Sequence, residues 1–259
     1  MDRLNDLTKE HKPSQKVKPL VEFLWHTHNT GEKLMGRVLP VPFAELVLVR
    51  QGRFDLFDVQ GNCLNQNRKQ WIAGIQTEAR YCVLYPDTEM IGLAFSPCGL
   101  SAFYPQPVKN LVNRYESDTS ALEVFSPLFS FFQNHDLPNT HWEDLLLSLP
   151  QKSIPSHIQD SCERLLRQNL SVKELATQFR ISEKSLIQGF NRHVGLSPLR
   201  YKKLLSFEKA LRAEDFPYYD QSHAIRAYQT LGGLTPAKYS KEVKSGKVHP
   251  RYPHFMEER

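Results

Sequence analysis

The sequence predicts an α+β chain of two domains, a β-rich barrel or sandwich with short helices over residues 1–150 and an all-helical domain over residues 155–240. Three observations carry this expectation. Residues 44–95 break into short β-rich runs separated by turn residues, the pattern of a closed or doubled antiparallel sheet. Beyond residue 155 the apolar residues fall at helical spacing. Between these textures lies SLPQKSIP (148–155), a polar, proline-bearing stretch suited to a boundary. With 259 residues and 40% hydrophobic content, the chain can fill two packed cores.

In chain order, VEFLWHTH (21–28) reads as a first strand. AELVLVRQGRFDLFDVQGN supplies two more, with Gly52 at the first turn and Gly61-Asn62 after the second. KQWIAGIQ, ARYCVLY and EMIGLAF continue the series, the last two parted by Pro86-Asp87. After Pro97 the texture changes, and GLSAFY and PVKNLVNRY read as short helices. In SALEVFSPLFSFFQN (120–134), Leu122, Phe125, Leu128, Phe129 and Phe132 fit one face of a helix, despite Pro127. The last 19 residues, 241–259, form a basic tail without periodicity, to which no structure is assigned.

The helical half contains a duplication. SEKSLIQGFNRHVGLSPLRYKK (182–203) aligns without a gap on DQSHAIRAYQTLGGLTPAKYSK (220–241). Each copy opens on an N-cap residue, Ser182 or Asp220, and closes at a glycine, Gly195 or Gly233, able to take the left-handed cap conformation. Ser197-Pro198 and Thr235-Pro236 then restart a helix. Before the first copy, SVKELATQF (171–179) begins with a capping box, Ser171 to Glu174, and carries the stripe Val172, Leu175, Ala176 and Phe179. A short turn at Arg180-Ile181 brings Leu186 and Phe190 of the next helix onto that stripe, which makes a helix-turn-helix; a plain helical hairpin is the competing reading.

Charge divides along the same line. The formal net charge is −3 over residues 1–150 and +8 over residues 151–259, so the C-terminal half is the one suited to a polyanion. No apolar run approaches the roughly 20 residues of a membrane span, and the charged N-terminus lacks the apolar segment of a signal peptide. The expectation from these features is an intracellular, cytoplasmic protein without a membrane partner. The four cysteines, Cys63, Cys82, Cys98 and Cys162, are too widely spaced for a zinc knuckle and read as reduced, mostly buried thiols. Trp25, Phe54, Trp71, Tyr81 and Phe95 either line a pocket or fill the core of the β-rich domain.

The helical segment from LSVKELATQFRISEKSLIQGFNRHVGLSPLRYKKLLSFEKALRA to YYDQSHAIRAYQTLGGLTPAKY resembles the DNA-binding domain of AraC/XylS-family bacterial transcription regulators. That family joins two helix-turn-helix modules by a long helix, here 198–213. More faintly, IGLAFSPCGLSAFYPQP resembles the end of the β-rich sensor domain in some members. The resemblance implies a sequence-specific regulator, an activator, that works at the bacterial nucleoid and binds double-stranded DNA, with a small-molecule effector, RNA polymerase and a second copy as further partners. It implies recognition helices in successive major grooves, about 34 Å apart. The matching outward positions are Lys184, Ser185, Ile187, Gln188 and Arg192 in the first module. In the second they are Gln221, Ser222, His223, Ile225 and Arg226. Gln188 suits an adenine edge, Lys184 a guanine or phosphate, and Ile187 a thymine methyl. Each has a duller alternative: Ile187 and Ile225 packed inside, Lys184 a solvated charge, His223 a cap.

The chain departs from the family in four places. Only AEDFP (213–217) stands where a scaffold helix is expected before the second module, and Gln188 replaces the usual Arg. Gly189 interrupts the recognition helix at a cost of about 1 kcal/mol against Ala. Arg180 occupies a turn where Gly or Asn is common. These departures predict marginal or single-module DNA binding, and they support the alternative of a ligand- or protein-binding module with a degenerate DNA-binding half. A metal-dependent barrel enzyme is the remaining class, resting on His26 and His28 on one strand face. No nucleophile motif, phosphate loop or carboxylate pair supports an enzyme, and no cofactor is implied.

Overall fold

The structure, a computed structural model, describes residues 7–117, 120–137, 139–168 and 170–212, together with 237, 238, 241, 256 and 257. Its N-terminal strands are β1 (Thr8–His11), β2 (Val21–Asn29), β3 (Leu34–Val38), β4 (Glu45–Gln51) and β5 (Phe54–Phe57). They continue with β6 (Cys63–Gln66), β7 (Gln70–Ala73), β8 (Arg80–Leu84), β9 (Thr88–Phe95) and β10 (Tyr115–Glu116). The helices are α1 (Ser120–Glu123), α2 (Ser126–Asn134), α3 (His141–Ser148), α4 (Ser156–Arg167), α5 (Val172–Gln178), α6 (Glu183–His193) and α7 (Pro198–Arg212). A final strand, β11, is Met256–Glu257. The chain is α+β, with ten of the eleven described strands gathered at the N-terminal side.

Two antiparallel sheets face each other. One runs β1-β2-β9-β4-β7-β10 and the other β11-β3-β8-β5-β6. Between them pack Phe23, Trp25, Val47, Phe54, Leu56, Trp71, Leu84 and Met90, all buried. The six-stranded sheet is covered on its other face too, where Leu24, Leu46, Leu48, Ile72, Ile91 and Leu93 meet the helices α1–α3. Double-sided burial is why EMIGLAF reads as an unbroken apolar run rather than an alternation. Gly92 belongs to this packing for a steric reason: a Cβ there would lie 1.9 Å from the Trp25 indole.

Several local expectations change in detail. GLSAFY and PVKNLVNRY give only 3₁₀ turns, Gly99–Ala102 and Val108–Leu111, and the second segment ends in β10. The helix expected over 120–134 is two helices, α1 and α2, because Pro127 lacks an amide donor and starts the second. All five apolar residues predicted for its face are buried nonetheless. In the tail, expected without structure, β11 pairs antiparallel with β3, Met256 opposite Arg37. The turns behave as expected, with positive φ at Gly52, Gly61 and Asp87.

A third core joins the helices α4–α7 to the β-rich part. Ile158, Cys162, Leu165, Leu175, Leu186, Phe190 and Tyr201 pack in one cluster with Leu39, Ile75, Ala79 and Cys98. Cys98 Sγ lies 3.9 Å from Cys162 Sγ, and both are buried, as is Cys82; Cys63 is exposed. Burial pushes the Cys162 thiol well above its ordinary range. Across 148–155 the chain is tied down by Lys152, whose backbone N–H donates to the Ala102 carbonyl at 2.7 Å.

Candidate nucleic-acid interface

The site is built on α5 and α6. Ser171 caps α5 in a reciprocal box: its Oγ accepts from the Glu174 N–H at 3.2 Å, and Glu174 Oε2 accepts from the Ser171 N–H at 2.7 Å. That contact holds the Glu174 carboxyl below its ordinary range. Leu175 and Ala176 are buried, with Val172 and Phe179 partly so, as the stripe requires. The helix ends in a Schellman arrangement, with Ile181 N–H to the Ala176 carbonyl and Arg180 N–H to Thr177, each 3.1 Å. This geometry puts Arg180 at φ 53°, a left-handed conformation that favours glycine.

Ser182 opens α6, its Oγ accepting from the Ser185 N–H at 3.0 Å. Leu186 and Phe190 are fully buried against α5 and α7. Gly189 sits against α4, where an added Cβ would lie 2.4 Å from Ile158 Cδ1. The glycine that looked like a helix defect is therefore what lets two helices approach.

Opposite that face lie all the first-module candidates. Lys184, Ser185, Gln188 and Arg192 are exposed, and Ile187 is 37% exposed rather than packed inside. At 3.6 residues per turn these positions share an arc of about 160°. Lys184, Gln188 and Arg192 form one ridge, spaced i, i+4, i+8. Ser185 is committed in part, its hydroxyl 2.8 Å from Ser182 Oγ. The other candidates, Gln221, Ser222, His223, Ile225 and Arg226, lie outside the described residues, as does the AEDFP junction.

Three further cations are exposed and were not among the sequence candidates for DNA contact: Arg180 in the turn before α6, and Arg200 and Lys203 on α7. Only their place beside capped helix starts could have marked them. Ser197 caps α7, accepting from the Arg200 N–H at 3.4 Å. Lys202, by contrast, is turned inward onto the Leu170 carbonyl at 2.8 Å.

The far end of α6 is clasped by the β-rich part. His193 Nδ1 lies 2.6 Å from Ser101 Oγ, Val194 is fully buried, and Gly195, at φ 98°, faces Val108 and Val112. Burial, then Arg192 and His157, hold the His193 imidazole below its ordinary range.

The aromatic residues divide. Trp25, Phe54 and Trp71 lie between the sheets, Phe95 belongs to the core under α1–α3, and Tyr81 accepts from Arg37 Nη2 at 3.2 Å. His26 bonds Glu89 at 2.8 Å, while His28 is exposed. Among the described residues no group of three His, Cys, Asp or Glu could hold a metal ion, and no helix is long and apolar enough to cross a membrane.

The profile of a domain of unknown function, DUF6597, matches residues 9–117. No curated protein matches the chain. Among solved structures, ToxT from Vibrio cholerae is similar at 8% identity over 91% of this chain and 98% of its own, with a TM-score of 0.45. The AraC-like transcriptional activator CuxR is 14% identical over 78% of this chain and 94% of its own, at 0.29. An S161A mutant of Bacillus subtilis oxalate decarboxylase is 8% identical over 74% of this chain and 36% of its own, at 0.26. At such identities and scores, function has to be read from the residues themselves.

Proposed function

We propose that the chain is a sequence-specific DNA-binding transcription regulator of the AraC/XylS type. Residues 155–240 bind the DNA, and residues 1–150 receive a small-molecule signal. The observation that supports this best is the two-faced helix α6. Its apolar side is locked onto α5 and α7, and its outer arc presents a base, an amide and an aliphatic side chain that are exposed among the described residues. A helix presented in this way, in a segment that also exposes Arg180, Arg200 and Lys203, has the chemistry of major-groove recognition.

Lys184 and Gln188 read bases, Ile187 meets a thymine methyl, and Arg192 holds phosphate on the same ridge. The single described module makes affinity modest, and the second segment at 220–241 adds to it in proportion to how well it is held.

Selection of bound fragments from random DNA, followed by mobility shift, tests this. Retention should fall steeply with salt as phosphate contacts release counterions. Lys184→Ala with Gln188→Ala should erase the sequence preference, about 10-fold or more, while leaving the salt slope nearly intact. Absence of retention at about 50 mM salt would favour the alternative of a ligand- or protein-binding module with a decayed DNA-binding half.

A further inference from the structure

The cysteines stand far apart in the sequence, yet the fold brings two of them together. Cys98 Sγ and Cys162 Sγ meet at 3.9 Å across 64 positions of chain, and both residues are buried. Cys98 belongs to the β-rich part, in the turn that follows β9, and Cys162 belongs to α4. Their neighbours from the β-rich part, Leu39, Ile75 and Ala79, can only pack. Two thiols in contact can also react.

The backbones that carry the two sulfurs are well held. The turn at Cys98 is pressed onto the residues leading into β2: a Cβ on Gly99 would lie 1.9 Å from the Leu20 carbonyl oxygen, and Ser96 Oγ donates to the Pro19 carbonyl at 2.6 Å. On α4, Ile158 lies one turn before Cys162 and so shares its side of the helix. Ile158 is also the residue on which Gly189 of α6 rests. α4 therefore reaches the β-rich part through Cys162 and α6 through Ile158. Joining the sulfurs requires them to close by about 1.9 Å, from 3.9 Å to the roughly 2.05 Å of a disulfide. A change of χ1 moves a cysteine sulfur by more than that.

We propose that Cys98 and Cys162 form an oxidation site, at which hydrogen peroxide converts the pair into an intramolecular disulfide that ties α4 to the β-rich part and fixes the seat of α6. Cys98, as thiolate, attacks one peroxide oxygen; the S–O bond forms, the O–O bond breaks, and the leaving hydroxide takes up the proton that Cys98 released. The Cys162 sulfur then attacks the Cys98 sulfenic acid. The S–S bond forms, the S–O bond breaks, and hydroxide leaves with the Cys162 proton as water. Two thiols thereby lose two electrons and two protons, and one peroxide becomes two waters.

The surroundings set the order and the oxidant. Burial, and then the contact with Cys98, raise the Cys162 thiol well above its ordinary range, so Cys162 keeps its proton until the second step. Burial also shuts out bulky disulfides, whereas an uncharged oxidant of nearly the size of water enters when the joint opens briefly. The pair is thus slow to oxidise and, once oxidised, holds together the two parts whose separation exposed it. This inference goes beyond the DNA-binding reading and does not depend on it.

The full chain carrying Cys63→Ser, which lacks the exposed thiol and keeps Cys82, Cys98 and Cys162, provides the test. After hydrogen peroxide in the absence of denaturant, only Cys82 should alkylate on unfolding, and peptide mapping should recover Cys98 joined to Cys162 until reductant parts them. The oxidised form should have a urea midpoint about 1 M higher, because the bond closes a long loop in the unfolded chain. Amide protection in α4 and α6 should rise at least about tenfold. Cys98→Ser and Cys162→Ser should each abolish both changes; oxidised and reduced samples are compared within one variant, so a less stable variant still reports. The proposal is overturned by free thiols at both positions well after Cys63 of the native chain is consumed, by a link to Cys82 instead, or by sulfinate without a link. An unraised midpoint or unchanged protection in α6 overturns it equally. No arm uses DNA, so this inference and the DNA-binding reading fail separately.

Discussion

At Arg180 the backbone holds φ of 53° so that Ile181 and Arg180 can close the end of α5. An L side chain there costs about 1–2 kcal/mol, and glycine would regain most of it less its greater freedom when unfolded. Arg180→Gly should therefore raise stability by about 0.5–1 kcal/mol in urea unfolding while weakening nonspecific DNA retention through the lost charge. Gly189 teaches the opposite lesson. Propensity alone makes Gly189→Ala stabilising by about 1 kcal/mol, but its Cβ would meet Ile158 Cδ1 at 2.4 Å, and Ile158 is fully buried and cannot retreat. Overpacking of this kind costs about 1–3 kcal/mol, so the variant should be destabilised, and Ile158→Val, which deletes the obstructing methyl, should restore it. A stabilised Gly189→Ala single variant would show that α4 and α6 stand further apart. From sequence, Gly189 reads as a flaw in the helix because its reason lies on another helix more than 30 positions away.

Among elements, α5 and α6 were the most legible because everything that defines them is local: a capping box, a 3.6-residue stripe and a stop signal within four residues of one another. Ser171→Ala should cost about 1 kcal/mol, read as a lowered urea midpoint and a loss of helical ellipticity. The strands were legible as a class but not one by one. β1, β3 and β6 are short and mixed in character, so TKEH, LMGRV and CLNQ carry no alternation that a reader could trust. α3 escaped because HWEDLLLS follows a polar loop and spans only 8 residues. The inward-facing polar residues were invisible for a different reason: Glu45 sits on one sheet and Asn65 and Arg80 on the other, and only register turns each of them inward. The clasp on α6 belongs to this scale too. His193 is held neutral by burial, so it contributes stability above about pH 6.5 that is lost as the pH falls below that value and the unfolded chain takes up the proton more readily. Amide protection relative to the intrinsic exchange rate should accordingly fall between about pH 7 and pH 5 more in α6 than in α5, and His193→Gln should remove the difference. Equal loss of protection in both helices would mean that the clasp does not hold α6.

For the whole molecule the decisive feature is that the helical core is not complete by itself. Leu39, Ile75, Ala79 and Cys98 come from the β-rich part, and the segment carrying Ile75 and Ala79 runs straight into Arg80 between the sheets. One stretch of chain thus touches both the inter-sheet packing and the packing beneath α6, so neither can move far without the other. Exposing Leu39 and Ile75 by parting the two units would cost about 1.5–3 kcal/mol for each side chain, a large share of ordinary domain stability. The sequence boundary at 148–155 suggests separable domains; the shared core argues that they unfold together. The chain offers a direct discrimination, because its tryptophans, Trp25, Trp71 and Trp142, all lie before that boundary, whereas α4–α7 dominate the ellipticity of the C-terminal part. Urea curves followed by tryptophan fluorescence and by ellipticity at the helical band should superimpose. Ile75→Ala should shift both to lower urea by the same amount, corresponding to about 2–5 kcal/mol. Curves that separate, with Ile75→Ala moving only the ellipticity, would show two independent units and leave no mechanical route from the β-rich part to α6.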